Sequence, residues 1–128
     1  MRPCPKPEPR RAAKARRTRA EGVVKRDVRA ACASRDGGCR LWRRFITPPM
    51  GACEGPSEWA HFGAKRRART VGQPSELRHT TDGSLMLCRR HHHQYDQRIL
   101  DIEPATERGA DGPLVFTHRA SGFRYKEE

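Results

Sequence analysis

The sequence predicts a small α+β domain that depends on a bound metal as well as on its core. Three observations carry that expectation. Residues 23–34 repeat apolar side chains at helical spacing, residues 57–62 alternate as a short strand does, and residues 85–96 gather a thiol, three imidazoles and a carboxylate. Of the 128 residues only 34% are hydrophobic, with two Trp and four Phe, so the core is expected to be thin. A structural metal offsets a thin core, because its binding free energy is also folding free energy.

Charge and cysteine usage narrow the setting. Five cysteines, an odd number, with no apolar N-terminal segment, argue against a secreted disulfide scaffold and for the cytoplasm, where thiolates serve as ligands. No run approaches membrane-spanning length, and no membrane role is expected from one. Twenty-seven Lys and Arg against fifteen Asp and Glu give a formal net charge of +12, which points to a polyanion, nucleic acid first. A solvated basic surface, or a ribosomal or membrane-surface role, is the plainer alternative.

Residues 1–22 carry eight Lys or Arg, four Pro and almost no large apolar side chain, and are expected to form a disordered basic arm that touches phosphates without reading sequence. Cys4 stands alone among the prolines of that arm. The remainder, residues 23–128, reads as one domain with its motif core at about 35–98 and a β extension at 99–128. Val24, Val28, Ala31 and Cys32 form the apolar stripe of a helix whose other side bears Lys25, Arg26 and Arg29. Cys32 on that stripe is expected to pack rather than ligate. Residues 35–38 form a turn that ends the helix and delivers Cys39. Residues 40–46 read as strand-like, and the prolines of 47–52 as loop.

In residues 57–62, Trp59 and His61 fall on one face and Glu58, Ala60 and Phe62 on the other. Lys65, Arg66, Arg67 and Arg69 follow directly and would place phosphate-binding charge beside His61, with Arg89 and Arg90 adding to it. In the cluster itself, Cys88-x-x-His91 is half of a tetrahedral zinc site. On a helix, Cys88 with His91 and His92 with Asp96 would occupy neighbouring parts of the surface about 100° apart. The second half would come from Cys39 and Cys53, although their thirteen-residue separation is longer than a zinc knuckle uses. They are either brought together by a looped-out insertion or merely packed. After the cluster, residues 98–103 read as a strand, 104–113 as a turn region, and 114–118 with 123–125 as a closing hairpin.

In order, Arg35-Asp36-Gly37-Gly38-Cys39-Arg40, Glu58-Trp59-Ala60-His61 and Leu85-Met86-Leu87-Cys88-Arg89-Arg90-His91-His92 resemble the HNH endonucleases of phage and bacteria, over roughly residues 24–100. The resemblance implies a ββα-metal fold braced by a zinc knuckle, cytoplasmic in a bacterial cell or phage-encoded, with DNA as substrate. It implies that His61 is the general base that takes a proton from the attacking water. It implies that His92, with Asp96 as an extra ligand or supporting carboxylate, holds a catalytic Mg²⁺ or another divalent cation. Cys39, Cys53, Cys88 and His91 would hold the structural zinc. The chain departs from the family at two places: it contains no asparagine, Gly83 standing where the middle letter falls, and Ala60 precedes His61 where many relatives carry a ligand. Two other readings stand beside it: a non-catalytic zinc-ribbon module that binds nucleic acid, and a small metal-stabilised interaction protein.

Overall fold

Helix α1 runs from Arg10 to Asp36 in the computed structural model, which describes residues 5–41, 50–62 and 79–128. The helix expected over residues 23–34 therefore starts much earlier, and the stretch expected to be unordered is helical from Arg10 onward. Alanine, arginine and lysine dominate residues 10–20, and these are strong helix formers that need no buried face to adopt the conformation. The C-terminal half is held differently. Glu21, Val24, Val28, Cys32 and Arg35 form an inward stripe at three- and four-residue spacing, with Cys32 fully buried. Gly37 ends the helix in the left-handed region, φ 66°, and donates its N–H to the Ala33 carbonyl.

Strands β1 (Ser57–His61) and β2 (Ser84–Cys88) pair antiparallel, with Ser57 opposite Cys88 and His61 opposite Ser84. All five β2 residues are buried, so the strand lacks the alternation by which strands are read from sequence. Helix α2 (Arg89–Asp96) follows without a linker, and Cys88 caps it by accepting the His91 N–H at 3.4 Å. Hairpin and helix thus run β1, β2, α2. The expected alternation in β1 is present: Ala60 joins the core with Leu85 and Leu87, while Trp59 and His61 leave the other face.

The tail adds β3 (Leu100–Pro104), β4 (Leu114–His118) and β5 (Arg124–Lys126), an antiparallel sheet in the order β3-β4-β5. It supplies Leu100, Ile102, Leu114 and Phe116 to the same core that holds Leu41 and Met50. A partly buried polar clamp joins this tail to α1. The Arg40 guanidinium meets Glu127 at 2.9 Å, Asp36 at 3.4 Å and the carbonyls of Ala110 and Gly112, while Asp36 also accepts the Met86 N–H at 2.9 Å. Of the strand-like segment expected at 40–46, Arg40 and Leu41 form a turn and the rest lies outside the described residues. The architecture is α+β. Among the described residues no helix is long and apolar enough to cross a membrane.

Candidate metal centre and histidine face

Cys39, Cys53, Cys88 and His91 come together. Their ligand atoms all lie within 4.8 Å of one another, a Cys3His group able to hold a metal ion. Three separate pieces of chain build it: the turn after α1, the loop before β1, and the β2–α2 junction. The His91 ring shows how well the donors fit. Its Nδ1 stands 3.2 Å from Cys88 Sγ, 3.5 Å from Cys39 Sγ and 3.7 Å from Cys53 Sγ. Its Nε2 lies 3.1 Å from the Gly51 carbonyl and 3.3 Å from that of Met50. Carbonyls only accept, so Nε2 carries the hydrogen and Nδ1 keeps its lone pair towards the sulfurs, the tautomer a ligand needs. Gly51 presents its carbonyl from φ 77°, where a side chain would be strained.

Burial sets the protonation of this group. It pushes the Cys39 and Cys53 thiols up and the His91 imidazole down. The imidazole is therefore neutral at pH 7, while metal binding has to displace thiol protons. Cys32, as expected, packs elsewhere, its sulfur 3.4 Å from Ser84 Oγ. Cys4 lies outside the described residues.

One residue beyond His91, the helix turns His92 away from the sulfurs. His92 Nδ1 lies 3.1 Å from Glu58 Oε1 and its Nε2 3.8 Å from Asp96 Oδ2. The expected pairing of His92 with Asp96 is present. Glu58 is the partner that sequence reasoning missed, although it shares a face with Ala60 two residues along β1. The hydrogen bond from His92, reinforced by Arg89, lowers the Glu58 carboxyl below its ordinary range. Arg89 is exposed and reaches Glu58 at 3.4 Å, and Arg90 reaches Glu54 at 3.8 Å. Lys65, Arg66, Arg67 and Arg69 lie outside the described residues.

His61, at the end of β1, takes a different set of neighbours. Its Nε2 lies 3.2 Å from His79 Nδ1, and the Trp59 ring packs against it at a centroid distance of 4.5 Å. Strand alternation sends His61 and Glu58 to opposite faces, and three residues of strand separate them by about 10 Å. The structure thus brings His92 to Glu58 and Asp96, and His61 to His79. Gly83, at the end of the loop, accepts the Phe62 N–H at 3.2 Å and closes the hairpin beyond His61 through its backbone. Compared with models of known protein families, with curated proteins and with solved structures, the chain shows no match.

Proposed function

We propose that the chain is a metal-dependent DNA endonuclease of the HNH type, with zinc in the Cys3His group and a divalent cation at His92. The observation that carries this reading is the order of its parts: a hairpin whose first strand ends on His61, a second strand leading straight into a helix, and His92 on that helix beside two carboxylates. Three thiolates and one imidazole suit zinc, and the oxygen-rich set of His92, Glu58 and Asp96 suits Mg²⁺ or Mn²⁺. A cation bound there would neutralise charge on the phosphate and on the leaving oxygen. Glu58 supplies, from β1, the carboxylate that Ala60 does not. His61 takes the proton of the attacking water; with Nε2 engaged by His79, that work runs through Nδ1. Helix α1 carries ten Lys or Arg along about 40 Å and supports affinity for the DNA backbone.

A non-catalytic nucleic-acid-binding module is favoured by one observation: His61 and His92 make their contacts on opposite faces of β1. Plasmid nicking decides between the two. With Mg²⁺ or Mn²⁺ the protein is expected to relax supercoiled DNA, and His61→Ala to abolish relaxation while binding DNA almost unchanged. Equal relaxation by His61→Ala would remove His61 from the reaction, and no relaxation by the unaltered chain would leave the binding module.

A further inference from the structure

We infer that His79 and Glu21 form a positioning relay behind His61, holding its ring in the one tautomer that can act as a base through Nδ1. The inference rests on the endonuclease reading for its catalytic meaning, and on geometry for its existence. His79 is 7% exposed, yet each of its ring nitrogens faces a side chain: Nδ1 lies 3.2 Å from His61 Nε2, and Nε2 lies 3.4 Å from Glu21 Oε1. Trp59 packs on both rings, with centroids 4.5 Å from His61 and 5.6 Å from His79, and the two imidazoles meet edge to face at 5.3 Å.

The direction of each hydrogen bond follows from what each atom can do. An ionised carboxylate only accepts, so His79 Nε2 carries the hydrogen it shares with Glu21. A neutral His79 then has its lone pair on Nδ1, which accepts from His61 Nε2. His61 is left protonated on Nε2 with its lone pair on Nδ1. When that lone pair takes a proton, both His61 nitrogens carry hydrogen, and the Nε2–H to His79 becomes a charge-assisted bond backed by the Glu21 carboxylate. No group moves during the step, because Glu21 is already fixed at the N-terminal end of the inward stripe of α1, where Lys25 also pairs with it at 3.4 Å. The same helix that carries the basic charge thereby sets the ring of the proposed base. Neither His79 nor Glu21 touches the substrate in this scheme; both act through His61.

The test uses the full-length, zinc-loaded protein and two readouts. Imidazole ¹⁵N spectra are expected to show His61 protonated on Nε2 and not on Nδ1, and His79 neutral with its hydrogen on Nε2. In plasmid nicking, His79→Phe keeps the ring packing on Trp59 but removes the acceptor, and is expected to lower kcat by about 10–100-fold with KM nearly unchanged. His79→Asn places an amide oxygen near the former Nδ1 and is expected to recover most of that loss, and Glu21→Gln to fall between the two. Unchanged kcat in His79→Phe overturns the relay while leaving the endonuclease reading intact, and a hydrogen on His61 Nδ1 overturns both the relay and the assignment of Nδ1 as the basic atom, whether or not the protein nicks. Should His79→Phe fail to fold, the spectra of the unaltered protein and the Glu21→Gln and His79→Asn rates still decide. The expected tautomers in a protein that does not nick would overturn the endonuclease reading and leave the relay as a structural feature.

Discussion

The imidazole of His91 is fully buried, with three sulfurs around Nδ1 and two carbonyls at Nε2, whereas that of His92 is 26% exposed and lies between two carboxylates. The two residues are adjacent on one helix, and a rotation of about 100° is all that separates them. Soft thiolates and hard carboxylates favour different ions, so that rotation gives one side-chain type two chemically different sets of neighbours. The first can be closed and structural; the second keeps a side open to solvent.

Breaking the buried site has the largest expected effect. Structural zinc binds with about 10–16 kcal/mol in small metal domains, and a whole domain is stable by about 5–15 kcal/mol, so removing the ion should unfold this chain. Metal analysis should find about one zinc per chain, and a chelator, or Cys88→Ser, should abolish the cooperative melting transition. Full zinc content in Cys53→Ser would remove Cys53 from the site. Changing the open site should do the reverse. His92→Ala should keep its zinc and its Tm while losing about 100-fold or more in nicking, measured across a Mg²⁺ and Mn²⁺ series; loss of zinc in that variant would erase the division between neighbours.

Two smaller effects follow from protonation. Burial, with the neighbouring sulfurs at Cys53, raises the Cys39 and Cys53 thiols, so both are protonated at pH 7, and burial lowers His91, so its Nδ1 carries no proton to displace. Zinc uptake should therefore release at least the two protons of Cys39 and Cys53, read by calorimetry in buffers of different ionisation enthalpy, and affinity should fall as the pH falls. The Glu58 carboxyl is lowered by His92, so its contribution to stability is present at neutral pH and lost as pH drops through the lowered value. The Tm difference between the unaltered protein and Glu58→Gln should be small at pH 7, because the pair is only partly buried, and should vanish in acid.

The Cys3His centre was legible because its ligands are rare residue types: with few cysteines available, Cys88-x-x-His91 had few possible partners. The same spacing argument placed His92 beside Asp96. The hairpin was half legible. Alternation marked β1, but β2 is buried on both faces and has no alternation to read. His79 and Glu21 were not legible, because His79 sits in a polar stretch and Glu21 in an arginine-rich one, and only the fold brings them to His61. Glu21 does continue the spacing of Val24, Val28 and Cys32, but it lies before residue 23, where the apolar stripe begins. Residues 10–20 lack large apolar side chains but are rich in helix formers, so low hydrophobicity there is not absence of helix.

The dispersal of the four ligands has a consequence for biosynthesis. A growing chain offers Cys39 and Cys53 early, but the site is incomplete until residue 91 has left the ribosome, with β3, β4 and β5 still to come. A metal bound there would tie three distant points of chain together, and a tie made before the tail sheet docks would restrict the ways in which β3 to β5 can pair. Folding yield in the cell would accordingly follow the supply of exchangeable metal during translation, and a protein made under scarcity would not be equivalent to one stripped of metal afterwards.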